Sequence, residues 1–173
     1  MKANFLLRLT SLVSLFSLSA AASVLIIPAP SVTHPADQNP TSMGTGCEHS
    51  ETAFRCVRFH YNYDGDTLMV SIANVHPLLG QKVSVRIAGI DAPELHSAEP
   101  CERAAAVVAQ QLVRNQLSRA QRVDLERVQR DKYFRILADV RADGESVAQM
   151  LIAQGLAYPY NGGTKQRIDW CAR

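Results

Sequence analysis

The 173-residue sequence lacks most of the short motifs that identify common enzyme classes. It has no Cys-x-x-Cys pair and no cysteine–histidine cluster with zinc spacing, so a structural zinc site is not expected. The five histidines show neither the paired spacing of a histidine-bound metal nor a His-x-Lys pattern. A glycine-rich phosphate loop and a nucleophile elbow are also absent from the sequence. These absences argue against zinc-held modules, P-loop enzymes and elbow-type serine hydrolases.

The sequence also has little net charge, with 18 Lys and Arg residues against 16 Asp and Glu residues. Two of the basic residues, Lys2 and Arg8, lie in an N-terminal segment that we expect to be removed, which would leave the mature chain near neutral. Long-range attraction to a polyanion such as nucleic acid would then be modest. Local groups would have to hold any substrate of that kind.

Residues 1–22 have the composition of a signal peptide for export. A basic start is followed by an uncharged run from Leu9 to Ile27, and the alanines at 20–22 suit a cleavage site. The alternative is an uncleaved membrane anchor that extends to about residue 27. We therefore expect an exported protein, periplasmic or secreted, with no stable membrane association once the signal is cleaved.

The rest of the chain divides into a linker and one domain. Residues 23–46 contain four of the eight prolines and have no apolar periodicity, which predicts a flexible linker. Residues 47–173 are long enough for a single globular domain, which we expect to be a monomer. Apolar alternation predicts five short strands, as at Val83, Val85 and Ile87, with two to three helices between and after them. The predicted fold class is mainly β with helices (α+β), arranged as a small closed barrel.

The four cysteines suggest two disulfides in an oxidising compartment. Three connectivities are possible. The preferred pairing joins Cys47 to Cys56 and Cys101 to Cys171, which would tie the C-terminus to a helix. In the alternative interpretation Cys101 is a plain buried thiol on one face of that helix.

Three short segments carry acidic and basic side chains that suit a divalent cation and a phosphodiester. They are Asp-Gly-Asp-Thr at 64–67, Arg-x-x-x-x-Asp-x-Pro-Glu at 86–94 and Asp-Lys-Tyr-Phe-Arg at 131–135. Carboxylates are preferred ligands of calcium, and guanidinium groups grip phosphate oxygens in pairs. Each segment alone is also compatible with a simple turn or a surface salt bridge. Together they point to a metal-dependent nuclease.

The same three segments, in the same order, resemble those of the thermonuclease family, also called staphylococcal nuclease-like. The resemblance spans roughly residues 57–160 and includes the helical segment that Gly155 is expected to end. That family has an OB-fold, a five-stranded barrel whose open face often binds oligonucleotides. The resemblance therefore implies a thermonuclease-like OB-fold for residues 47–173.

The resemblance also implies a calcium (Ca²⁺) site. Asp66 and Asp91 match the family's direct carboxylate ligands, and Ala92 stands where the family contributes a backbone carbonyl. Asp64 is assigned to the outer shell, where it would orient a ligand or a bound water.

Three catalytic residues are carried over in the same way: Arg86, Glu94 and Arg135. Glu94 would be the general base or the group that orients the attacking water, and the two arginines would stabilise charge on the phosphate. Tyr133 would contact the nucleotide of the substrate. Phe134 departs from the family, which usually has glycine there, and this puts the approach to Arg135 in question.

The sequence thus predicts an exported, calcium-dependent nuclease that hydrolyses DNA and RNA with little sequence preference and leaves 3′-phosphate ends. One alternative is a non-catalytic OB-fold module that binds single-stranded nucleic acid. Another is an envelope-anchored adhesion or assembly domain. The joint presence of the two acidic ligands, Glu94 and both arginines favours the enzyme.

Overall fold

The computed structural model describes residues 46–172. The predicted signal peptide and, apart from Gly46, the predicted linker lie outside the described residues, so both stay predictions. Within 46–172, no helix combines the length and the hydropathy that crossing a membrane requires.

The described residues form eight strands, three α-helices and one 3-10 helix. The strands are β1 (Arg58–Asn62), β2 (Thr67–Ser71), β3 (Val83–Ile87), β4 (Ile90–Asp91), β5 (Val123–Arg130), β6 (Ile136–Ala142), β7 (Glu145–Ser146) and β8 (Tyr158–Pro159). The helices are α1 (Pro77–Gly80), α2 (Pro100–Arg119) and α3 (Val147–Ala153), and the 3-10 helix spans Trp170–Ala172.

Five strands form one curled sheet in the order β1-β2-β3-β6-β5, with β7 paired to β6. All pairings in the sheet are antiparallel except that of β3 with β6. The residues before β1 pair with β5: Phe54 and Leu125 exchange backbone hydrogen bonds of 2.9 and 2.8 Å. This exchange brings the two edges of the sheet together around the core. The architecture is the predicted α+β OB-type fold.

The core is built from the inward faces of the strands, covered by two helices. Val85 and Ile87 are fully buried, and Arg86 between them points to the other face because strand side chains alternate. Val113 from α2 and Leu151 from α3 are also fully buried against this face. Each such aliphatic side chain stabilises the fold by about 1.5–3 kcal/mol.

Several local features differ from the sequence prediction. The segment between β2 and β3 contains α1, a short helix that no sequence pattern indicated. Its first residue is Pro77, and its N-terminus is capped by His76. Strand β6 begins only at Ile136, because Phe134 has a φ of +63° and belongs to the preceding turn. Gly155 has the expected positive φ of +67° just after α3.

The two-residue strands β4 and β8, which pair Asp91 with Tyr158, were not predicted. Two residues are too few to show a period, so the sequence gives no signal for them.

Two disulfides close the domain. Cys47 is bonded to Cys56 and Cys101 to Cys171, with Cα–Cα distances of 5.4 and 5.2 Å. This is the pairing preferred from the sequence. The alternative interpretation of Cys101 as a free buried thiol is wrong, since all four cysteines are bonded.

Candidate active site

The three charged sequence segments meet at one open cleft of about 740 Å³. Strand pairing explains why: Thr67 on β2 lies opposite Arg86 on β3, and Arg86 lies opposite Leu137 on β6, just after the third segment. The cleft is lined by most of the predicted site residues, namely Asp64, Asp66, Arg86, Asp91, Glu94, Tyr133 and Arg135. Ala92, which is 3 % exposed, is the one residue predicted for metal binding, catalysis or substrate binding that does not line it.

The Asp64–Thr67 turn is held by the Asp64 carboxylate. Its Oδ1 accepts hydrogen bonds from the backbone N–H groups of Asp66 and Thr67, at 2.9 and 2.7 Å. Gly65 is required by a close approach, because a Cβ there would lie 2.9 Å from the Cβ atoms of both Ala92 and Ala109. Asp64 thus shapes the turn that presents Asp66.

Asp66, Arg86 and Asp91 form a buried charged group, called here the inner cluster. The Arg86 guanidinium forms an ion pair with Asp66 Oδ2 through Nη1 and contacts Asp91 Oδ1 through Nη2 at 3.0 Å. Arg86 Nη2 also donates to the Ile90 carbonyl at 3.1 Å, and the Arg86 side chain is 13 % exposed. One guanidinium therefore orients two carboxylates toward the same point.

The inner cluster contains two carboxylates and one guanidinium, and burial affects their ionisation. Burial raises the pKa of Asp66 to about 7; Arg86 and the Ala92 N–H oppose this shift, and the nearby Asp64 and Asp91 carboxylates add to it. Tyr158 donates its hydroxyl to Asp91 Oδ2 at 2.6 Å. Burial and this carboxylate raise the pKa of Tyr158 to about 12, so the hydroxyl remains a donor.

Glu94 lies at the exposed edge of the cleft, where it meets a lysine that the sequence did not suggest. Lys165 Nζ lies 2.7 Å from Glu94 Oε1 and 3.1 Å from Asp91 Oδ1. Burial lowers the pKa of the Lys165 ammonium, but the hydrogen bonds to Glu94 and Asp91 outweigh burial and raise it above its usual value. No pattern marks Lys165, because it is separated from Glu94 by 71 residues in an irregular segment.

Arg135 and Tyr133 belong to a turn that is organised by Asp131. Asp131 Oδ1 accepts the backbone N–H groups of Tyr133 and Arg135 at 2.8 and 2.9 Å, and Oδ2 accepts Arg135 Nε at 2.7 Å. The guanidinium carbon of Arg135 lies 5.5 Å from the centre of the Tyr133 ring. Phe134 has the left-handed backbone that favours glycine, and its side chain is 79 % exposed and does not line the cleft.

The residues of the predicted metal site fit a hard divalent cation by their chemistry. Within residues 46–172, no group of three or more His, Cys, Asp and Glu side chains is arranged as a metal site. The predicted set instead combines two carboxylates, Asp66 and Asp91, with the Ala92 carbonyl. An all-oxygen set completed by water suits calcium, and the two carboxylates already face one cation, Arg86.

Comparison with known proteins agrees with this fold, and the matched family model includes the second and third charged segments. Residues 84–169 match the family model described as staphylococcal nuclease homologue. The chain is also 34 % identical over 142 residues to endonuclease YncB of Bacillus subtilis (strain 168). That alignment covers 77 % of this chain and 64 % of the relative, so the chain spans a little less than two thirds of the relative's length. The chain belongs to the thermonuclease-like, staphylococcal nuclease family.

Proposed function

We propose that the protein is a calcium-dependent nuclease that hydrolyses phosphodiester bonds of DNA and RNA with little sequence preference and leaves 3′-phosphate ends. One observation carries the proposal: two buried carboxylates, Glu94 and two arginines line the same cleft. The relative's name, endonuclease, supports the same class of reaction. These charged side chains come from segments that are far apart in the sequence. Isolated surface salt bridges would not need to meet in one cleft.

Asp66, Asp91 and the Ala92 carbonyl would hold the calcium ion, with Asp64 in the outer shell. When bound, calcium would act as a Lewis acid toward a phosphate oxygen. Asp64 supports this arrangement because it fixes the turn that carries Asp66. Above about pH 7, where Asp66 is mostly ionised, the two carboxylates of the inner cluster outnumber its one guanidinium and would attract a cation.

Glu94 and the two arginines would perform the chemistry around the phosphate. Glu94 is 55 % exposed, so water can reach its carboxylate, which orients the attacking water or accepts its proton. Arg86 and Arg135 provide fixed positive charge where negative charge develops on the phosphate, with Arg135 placed nearest the leaving oxygen. Removing one such donor typically lowers kcat by about 10²–10³-fold.

Tyr133 would bind the nucleotide of the substrate. Tyr133 is 66 % exposed, and its ring lies beside the cationic groups of Lys132 and Arg135 at 5.1 and 5.5 Å. The exposed aromatic ring would stack on a base while these cations attract the phosphate. Base–aromatic stacking of this kind contributes about 1–3 kcal/mol and tolerates any base, in agreement with low sequence preference.

We place the protein outside the cytoplasm, in the periplasm or secreted, as a monomer. The two disulfides of the described domain support this location, because such bonds persist in oxidising compartments. The proposed removal of residues 1–22 would leave the domain without stable membrane association.

The direct test incubates the purified mature protein with single-stranded DNA and with RNA, in calcium or in a chelator. We expect cleavage of both polymers in calcium only, with product ends that become extendable by a polymerase after phosphatase treatment. If calcium, magnesium and manganese all fail to support cleavage, the enzyme proposal is wrong. Retained binding of single strands would then indicate the non-catalytic OB-fold module.

A further inference from the structure

The chain after β8 forms an irregular segment, residues 160–172, called here the C-terminal strap. Most of its residues are exposed, and only Trp170–Ala172 forms regular structure. One end is fixed where the Tyr160 N–H donates to the Gly89 carbonyl at 2.9 Å. The other end is fixed by the disulfide of Cys171 to Cys101, near the start of α2. Between these anchors, Lys165 reaches the cleft.

Lys165 forms the one hydrogen-bonded ion pair of the Glu94 carboxylate within residues 46–172. The Glu94 backbone is fixed separately, because its N–H donates to Glu102 Oε1 at 3.2 Å. An exposed glutamate without a partner samples several rotamers, and a partner selects one of them. The Lys165 ammonium also contacts Asp91, so it holds together two carboxylates that would otherwise repel each other.

The contact is too exposed to matter much for stability. The side chains of Lys165 and Glu94 are 51 % and 55 % exposed, and ion pairs of this kind contribute little to folding. The effect of the contact is therefore on where the Glu94 carboxylate lies. A misplacement of about 1 Å at a reacting group can lower turnover up to about 100-fold.

We propose that Lys165 is a positioning residue that sets the orientation of Glu94, and that the Cys101–Cys171 disulfide holds Lys165 in place through the C-terminal strap. The proposal rests on the nuclease activity proposed above for the same cleft. It assigns this disulfide a role in turnover as well as in stability.

The kinetic test compares the mature protein with Lys165→Met, Lys165→Arg and the pair Cys101→Ser/Cys171→Ser, on single-stranded DNA with calcium. We expect Lys165→Met to lower kcat about 10- to 100-fold with KM within about twofold, and Lys165→Arg to recover part of the loss. The serine pair should lower kcat similarly. Combining it with Lys165→Met should lower kcat no further, because both changes remove one and the same constraint.

Two matched controls separate this effect from general damage. Arg167→Gln removes a positive charge from the same strap, at a residue that makes no ion pair in the described part of the chain. Cys47→Ser/Cys56→Ser removes the other disulfide. Both should retain the wild-type kcat. A raised KM with unchanged kcat in Lys165→Met would overturn the proposal and make Lys165 a phosphate contact instead.

A second measurement does not depend on activity. Trp170 is the only tryptophan in the sequence and lies next to Cys171, so its fluorescence reports the strap. We expect red-shifted emission in Cys101→Ser/Cys171→Ser and wild-type emission in Cys47→Ser/Cys56→Ser, with unchanged circular dichroism. Unshifted emission would show that the disulfide does not hold the strap.

The outcomes of the kinetic test separate the two proposals. An unaltered kcat in Lys165→Met, with an active wild type, would refute the positioning role and leave the nuclease proposal intact. An inactive wild type would refute the nuclease proposal itself.

Discussion

The cleft contains two groups of charged side chains that are held in different ways. The inner cluster of Asp66, Arg86 and Asp91 lies beside or on barrel strands, and its side chains are 5–13 % exposed. The rim group, defined as Glu94 and Arg135, lies on loops with side chains that are 55 % and 30 % exposed. Strand pairing and buried ion pairs fix the inner cluster, whereas exposed contacts fix the rim group. Changes in the first should therefore affect folding and activity together, and changes in the second should affect activity alone.

The largest effect is expected from Arg86→Ala. It leaves two buried carboxylates without their shared partner, which typically costs about 3–5 kcal/mol of unfolding free energy. Denaturant unfolding in a chelator would measure this loss, and kcat should fall by at least about 10²-fold. Arg86→Lys is the control, because it keeps the charge but cannot contact both carboxylates equally well. An unchanged unfolding free energy for Arg86→Ala would show that the inner cluster contributes no more to stability than the rim group does.

Changes in the rim group should lower activity without lowering stability. Glu94→Ser and Arg135→Ala should each lower kcat by about 10²–10³-fold. Both should change the unfolding free energy by less than about 1 kcal/mol, because their ion pairs are partly exposed. Kinetics and denaturant unfolding on the same preparations test this prediction. Wild-type turnover in either variant would show that its role is misassigned.

The two disulfides should differ in their contribution to stability. The chain-entropy relation gives about 4 kcal/mol for Cys101–Cys171, which are 70 residues apart, and about 2.5 kcal/mol for Cys47–Cys56, which are 9 apart. Denaturant unfolding of the two serine double variants measures both losses. Equal losses would show that loop length does not control their contributions here.

The calcium binding proposed for the inner cluster should depend on pH near neutrality. The pKa of Asp66 is raised to about 7, so this carboxyl is mostly protonated at pH 6 and mostly ionised at pH 8. Calcium must displace that proton, so its affinity should be about tenfold lower at pH 6 than at pH 8. Isothermal titration calorimetry measures the affinity, and circular dichroism at both pH values controls for unfolding. An affinity that does not vary with pH would contradict the raised pKa.

The smallest effect is expected at Phe134, next to the rim group. Phe134→Gly relieves the left-handed backbone but adds freedom to the unfolded chain, so the net stabilisation should be at most about 1 kcal/mol. The kcat should stay within about twofold, because Phe134 does not line the cleft. Phe134→Ala is the matched control, since it removes the ring and keeps the strain. If Phe134→Ala stabilises the protein as much as Phe134→Gly does, the loss of the exposed ring, and not the relief of the backbone, would explain the gain.

Much of the fold was predictable because it depends on local patterns. Alternation at Val83, Val85 and Ile87 defines β3 and directs Arg86 to the opposite face. Proline and glycine mark the start of α2 at Pro100 and the end of α3 at Gly155. The two-residue strands and α1 were missed, because elements this short carry no period.

The chemistry of the site could be predicted from the residue types in three segments. The contacts that each of these residues makes in the fold could not. The sequence by itself determined which carboxylates and arginines occur together in each segment, because those positions are local. Only the tertiary structure decided that Arg86 lies between Asp66 and Asp91, and that Tyr158 and Lys165 join them. The first two contacts depend on the pairing of β2 with β3 and of β4 with β8, and the contact of Lys165 depends on the path of the C-terminal strap. These long-range arrangements bring together residues that no local pattern connects.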